Sequence, residues 1–175
     1  MSDFIGEFVR GFRTTEAFYD KLLGQEQVFT DNPSPTSTLN AGVTSGMRST
    51  AVLVKNIGSA VPGPGTAVLW DASNIGTGIN GLAGADAAAA GVVDPSLTTG
   101  PAQGEKFLLF IHGPVVATLG GSVSAGGKVK TGSSGKLVAN SPSAVADLVG
   151  AAGRAIAGGG DGDQVRVFVD FRMNK

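Results

Sequence analysis

The chain contains no cysteine. That removes disulfides, thiolate nucleophiles and cysteine-ligated metals by inventory. It has one histidine, His112. A single imidazole cannot build a histidine zinc site, and a Ser-His-Asp triad would have to be assembled around it alone. The nearby serines lack a Gly-x-Ser-x-Gly elbow, and a histidine at a strand end before Gly113-Pro114 is structurally ordinary. Charge of one sign is also missing: 13 Lys+Arg against 14 Asp+Glu leave a net charge of −1. Dense charge binding to nucleic acid or acidic lipid is therefore disfavoured. The one basic cluster, Lys128, Lys130 and Lys136, carries no interleaved aromatic and reads as solvated edge charge. No apolar run is long enough to cross a membrane. The first residues, with Asp3 and Glu7, lack the basic region and continuous apolar stretch of a secretory signal. Neither nucleic acid nor membrane is expected as a partner, and synthesis is expected in the cytoplasm.

A paired set of carboxylates is missing too. Asp71, Asp86, Asp94, Glu105, Asp147, Asp161, Asp163 and Asp170 are scattered, with no pair embedded in the aromatic surroundings that a carboxylate acid-base pair calls for. Gly158 to Asp163 has the look of a calcium turn, but it lacks the flanking ligands and distal glutamate of an EF-hand and fits a hairpin connection better. Gly63-Pro64-Gly65 precedes a strand rather than joining a strand to a helix, the wrong context for holding phosphate. The lone Trp70 ends a strand and reads as core or rim. The inventory supports no reaction, no cofactor and no metal, so a non-enzymatic protein is expected.

What the chain does have is glycine, 28 in 175 residues, arranged in a phrase stated twice. Gly65 and Val68 open a strand-like run, Ala90-Gly91-Val92 follows, and Gly104-Glu105-Lys106 leads into Phe107 to Ile111. Gly126 and Val129 open the second copy, Ala152-Gly153-Arg154 follows, and Gly162-Asp163-Gln164 leads into Val165 to Phe171. The offsets are 61, 62 and 58 residues. Such a repeat predicts one body built from two similar halves, about 60–111 and 122–172.

The chain divides in two. Residues 51–175 read as a mainly β, small barrel or sandwich-like body, with strands near 51–56, 66–70, 106–111, 114–119, 128–131, 136–139 and 164–172. In the last of these, Val165, Val167, Val169 and Phe171 alternate with Arg166, Phe168, Asp170 and Arg172, which predicts a half-buried strand. Residues 72–89 read as a Gly/Ala-rich loop with a short helical turn. Ser141-Pro142 followed by Val145, Leu148, Val149 and Ala152 reads as one short helix.

Residues 1–50 read as an N-terminal arm of short amphipathic helices on an extended tether. Phe4, Ile5, Phe8, Val9 and Phe12 fall on one helical stripe. A second piece is capped by Thr14 or Thr15, ends at Gly24 and presents Phe18, Tyr19, Leu22 and Leu23. Asp31 to Gly46 is polar and proline-bearing and does not bury enough surface to fold alone. The candidate partner contacts are therefore Phe4, Phe8, Phe12, Phe18, Tyr19, Leu22 and Leu23. The alternative use of these side chains is packing on the chain's own core.

The repeated phrase, best preserved in Ser124 to Leu137 and continuing through Gly153-Arg154-Ala155 to Gly162-Asp163-Gln164-Val165-Arg166-Val167, resembles the small capsid decoration, or cement, proteins of tailed bacteriophages. The resemblance spans about residues 60–172. It implies a compact β-barrel-like protein on the virion exterior. Such a protein binds the outside of an assembled head and reinforces junctions between major capsid protein subunits, often as a trimer of neighbouring copies. Residues 1–50 and the inserts at 72–89 and 141–152 depart from the shorter members. An arm of this kind adds avidity when it engages a second surface at high effective concentration. The rival expectation is a head-fibre or adhesin-like module that recognises a carbohydrate or host surface, which calls for exposed aromatics on the body.

Overall fold

The computed structural model describes residues 8–30, 48–141 and 150–172. Among them, eleven strands join in one sheet: β1 (Arg13–Thr14), β2 (Glu26–Thr30), β3 (Arg48–Asn56), β4 (Ala67–Trp70), β5 (Gly78–Leu82), β6 (Gly91–Val93), β7 (Lys106–Thr118), β8 (Lys128–Thr131), β9 (Leu137–Ala139), β10 (Ala151–Ala155) and β11 (Gln164–Asp170). Helical pieces among these residues are short 3-10 turns, as at Ala17–Leu22 and Ser133–Gly135. The protein is mainly β.

The duplication is present pair by pair. Val68 faces Gly91 in the first half, and Val129 faces Gly153 in the second. Val92 faces Phe110, and Arg154 faces Phe168. Val52 faces Leu109, and Val115 faces Val167. The loops correspond as well: the Gly65 N–H donates to Val93 O at 3.0 Å, and the Gly126 N–H to Ala155 O at 2.8 Å. Glu105 accepts from the Ala102 N–H at 2.7 Å, and Asp163 accepts from the Gly160 N–H at 2.7 Å. That last contact is a turn cap, the hairpin role expected for Gly158 to Asp163, while Asp161 pairs with Lys136 at 2.8 Å.

Strand β7 belongs to both halves. Its first part pairs with β3 and β6, its second with β11. The sequence reading places two strands here, separated by Gly113-Pro114. The chain instead bends without stopping. Gly113 takes φ +93°, the pairing with β3 slips one residue between Thr50 and Ala51, and Ser49 Oγ donates to Pro114 O at 2.7 Å. Glycine and a bulge redirect a strand where a turn would end it.

In each half the pairing returns on itself: β3-β5-β4-β6-β7 closes through β3–β7, and β7-β11-β10-β8-β9 closes through a single Leu119–Leu137 bridge. In the first half β5 joins β3 by only two residue pairs. Closure this slight leaves an incomplete roll, not a regular barrel. The interior of the first roll holds Val52, Val54, Val68, Ile79, Leu109 and Ile111, and that of the second Leu119, Val129, Leu137, Val167, Val169 and Phe171, all buried. Each such side chain contributes about 1.5–3 kcal/mol by leaving water.

Several other expectations are corrected. The loop at 72–89 contains β5, because the backbone of Lys55 to Ile57 at the end of β3 offers ladder partners that a Gly-rich run can still use. Ala151 and Ala152 lie on β10 and do not continue a helix; the expected helix otherwise falls on 142–149, outside the described residues. Val165, Val167 and Val169 on β11 and Phe171 just after it are buried as expected, but Arg166 on the other face is only 5% exposed. Lys130 and Lys136 are not free charges; they pair with Asp86 at 2.7 Å and Asp161 at 2.8 Å.

Candidate functional site

The clearest departure from the sequence reading is the N-terminal segment. Over residues 8–30 it is no tethered arm: it lies on the first half and closes it. Residues 9–12 form a turn, with Gly11 at φ +79° and the Phe12 N–H donating to Val9 O at 3.1 Å. Phe8 and Phe12 therefore meet through a reversal of the chain, and the helical stripe expected for them is absent there. Residues 17–22 form a 3-10 turn in place of an α-helix, with Glu16 at its cap; Thr14 Oγ1 accepts the Glu16 N–H at 3.1 Å, and Gly24 ends it at φ +85°.

The aromatic residues assemble into one group. Phe8 and Phe12 rings lie 5.0 Å apart, Phe12 and Tyr19 5.0 Å, and Phe18 meets Tyr19 edge-on at 5.4 Å. Phe8 is 6% exposed, inside the core cluster of Leu53, Leu108 and Phe110, and Phe12, Tyr19, Leu22, Leu23 and Phe29 pack against that cluster. Of the seven candidate contacts, Phe8 is spent on the chain's own core and Phe12, Tyr19, Leu22 and Leu23 mostly so. Phe18 is 60% exposed. Phe4 lies outside the described residues. Val9 and Val28 of the same segment are also exposed.

A polar clamp holds the segment down. The Phe8 N–H donates to Gln27 Oε1 at 2.8 Å, and Gln27 Nε2 donates to Phe8 O at 2.7 Å. Buried Asp94 accepts from the Gly11 N–H at 2.6 Å and from the Ser96 N–H at 2.9 Å. Arg13 donates to Thr99 Oγ1 at 2.8 Å and faces Glu105 at 3.5 Å. Lys106, 1% exposed, reaches through to donate to Thr15 O at 3.2 Å and Glu16 O at 2.9 Å, with Asp20 3.3 Å away. Arg10 stacks over Phe29 and Phe110, 5.7 and 5.3 Å from the ring centres. Burial lowers the Arg10 pKa, and the nearby Asp94 opposes that shift.

None of Gln27, Arg10, Arg13, Asp94 or Lys106 stood out in sequence. One signal was there: the offset falls from 62 at Arg154 to 58 at Gly162. The first half is therefore four residues longer between β6 and β7, and that longer loop, from Asp94 to Gly100, receives Gly11 and Arg13.

A cleft of about 400 Å3 between the segment and the first half is lined by Asp20, Lys55, Asn56, Asn74, Thr77 and Gln103, with no aromatic. Trp70 is half-buried against the first core, and Phe107, Phe110 and Phe171 are buried. The aromatic platform that a carbohydrate-binding module calls for is not formed by these residues. His112 stacks edge-on against Phe168 at 5.2 Å, a packing contact.

No family model matches the chain, and no curated protein does. Its fold is similar to a solved structure of the N base of the head fibre gp8.5 of bacteriophage phi29, with a TM-score of 0.51 and 10% identity, covering 69% of this chain and 93% of that one. At that identity the likeness is one of fold.

Proposed function

We propose that this chain is a structural protein of a bacteriophage head. The observation that carries the proposal is the fold shared with the phi29 head-fibre base over 93% of that base. It agrees with the resemblance of the glycine-valine phrase to capsid decoration proteins. In the finer form of the proposal the protein is non-enzymatic and is made in the host cytoplasm. It binds the exterior of the assembled shell and reinforces junctions between major capsid protein subunits, beside neighbouring copies of itself in a ring such as a trimer. Phe18, with Val9 and Val28, is the part of the N-terminal segment left for that contact. Sedimentation of purified heads with and without the protein tests it: the protein is expected to pellet with the heads and to raise their resistance to heat.

The fibre-base likeness favours a second reading, in which the same body anchors a fibre or adhesin to the head. In that case the protein pellets with heads but leaves their heat resistance unchanged. Failure to pellet overturns both readings.

A further inference from the structure

Asparagine followed by glycine occurs once in the chain, at Asn80-Gly81. The fold puts that pair in an irregular place. Between β4 and β5, Trp70 faces Ile79 and Val68 faces Leu82, so Asn80 and Gly81 together oppose Leu69 alone. Such a bulge takes a residue out of the ladder and bends the strand. Gly81 holds φ +93° with open space where a side chain would stand, and Asn80 is exposed. Asn80 Nδ2 donates to Asp71 Oδ2 at 3.3 Å, a long hydrogen bond that is open to water. The other asparagines are placed differently. Asn56 and Asn140 are buried and precede Ile57 and Ser141, and Asn74 precedes Ile75. Elsewhere Asn32 precedes Pro33, Asn40 precedes Ala41 and Asn174 precedes Lys175. Each of those followers carries a side chain that crowds its own nitrogen.

We propose that Asn80-Gly81 is a site of self-modification, at which the chain converts a side-chain amide into a carboxylate with water as the only reagent. The Gly81 backbone nitrogen gives its proton to hydroxide and attacks Asn80 Cγ. A new C–N bond closes a cyclic imide, the Cγ–Nδ2 bond breaks, and Nδ2 takes a proton from water and leaves as ammonia. Water then opens the imide at either carbonyl, which leaves an aspartate or an isoaspartate at position 80. The balance is ammonia lost and water gained, with nothing oxidised or reduced. Glycine favours the step because no Cβ stands beside the attacking nitrogen and either sign of φ is open to it. The neighbouring contacts give the change two consequences. The new carboxylate meets Asp71, which holds its own turn by accepting from the Ser73 N–H at 3.1 Å and from Asn74 Nδ2 at 2.7 Å. A donor to Asp71 is thereby exchanged for a like charge. The isoaspartate also adds a carbon to the main chain of β5, with fully buried Ile79 on one side and Leu82, packed on the first core, on the other. Ile79 carries one of the two residue pairs that join β5 to β3, and its carbonyl accepts the Ile57 N–H at 2.9 Å. The first roll therefore loosens with age where its closure is slight.

The test compares full-length protein aged in warm, mildly alkaline buffer with the same protein kept cold and mildly acidic. Ageing is expected to turn most of the sample into a more acidic species on ion exchange, with the mass change of ammonia lost and water gained. Peptide mapping should place the change at position 80, and an isoaspartate methyltransferase should label it there. Asn80→Gln keeps an amide beside Asp71 but closes the imide far less readily, and it should abolish the new species. Asn80→Asp supplies the charge without the added carbon. It should melt below the fresh protein, and the isoaspartate form lower still, with faster hydrogen exchange at Ile79 and Leu82. No new species, a change mapped to another asparagine, or one that survives Asn80→Gln overturns the proposal. An aged form that melts with the fresh one overturns the coupling to Asp71 and β5.

Discussion

Gly91 and Gly153 hold the same place in the two halves: each faces the valine that opens its repeat, and a methyl group on either would strike the carbonyl of the residue one strand over, Phe110 O for Gly91 and Phe168 O for Gly153. The repeat keeps glycine there because two backbones approach too closely for a side chain. Gly91→Ala is expected to cost about 1–3 kcal/mol by overpacking. Gly153→Ala should cost more, since Gly153 also holds φ +150°. Gly126→Ala serves as the control, with φ +76° but open space around it, and should lose only about 1 kcal/mol. Urea unfolding of the three variants checks the order.

Lys106 ties the N-terminal segment to the body from beneath. Lys106→Met keeps the apolar stem but takes the ammonium from the Thr15 carbonyl, leaves Glu16 O with the Tyr19 N–H alone, and leaves Asp20 with Lys55 alone. We expect a loss of about 2–4 kcal/mol and faster hydrogen exchange over residues 13–24, with β8, β10 and β11 unchanged. Uniform loss of protection would show that the segment does not open separately.

Removing residues 1–30 uncovers Leu53, Leu108 and Phe110 and leaves β3 without its β2 neighbour. The truncated chain is expected to bind a hydrophobic dye and to unfold at a markedly lower temperature. An unaltered melting curve would mean that the contacts of residues 8–30 add no net stability.

Phe18 separates stability from contact. Being 60% exposed, it can become alanine at a cost within about 0.5 kcal/mol, whereas Phe12→Ala, which loses ring contacts to Phe8 and Tyr19, should cost about 3 kcal/mol. If the shell reading is correct, Phe18→Ala weakens co-sedimentation with heads while the melting temperature stays put.

Three carboxylates set the acid limb. A hydrogen bond from Asn74 holds Asp71 below the usual range, Lys136 does so for Asp161, and Arg172 for Asp170. A depressed folded value stabilises the fold above the unfolded value, 3.8 for these groups, and that contribution disappears as pH falls through the lower folded value. Calorimetric melting temperatures should stay level from neutral pH to about 5 and fall below about 4. Asp71→Asn, Asp161→Asn and Asp170→Asn together should flatten that fall; an unchanged acid limb would place its origin elsewhere.

The sequence by itself determined the β class and the places where the glycine phrase recurs. It could do so because those properties rest on composition and on backbone demands that glycine advertises: Gly65 and Gly126, or Gly104 and Gly162, recur where the chain must turn with positive φ. The buried alternation of Val165, Val167, Val169 and Phe171 was legible for the same reason, one strand and one period. Only the tertiary structure decided what the aromatic N-terminal residues touch. An apolar stripe says that a surface will be covered, not by what, and the deciding partners Asp94 and Lys106 lie some 80 to 90 residues away along the chain. It also decided that Gly113 bends a strand shared by both halves, because a turn and a bulge carry the same residues and differ only in whether the neighbouring strands continue to pair.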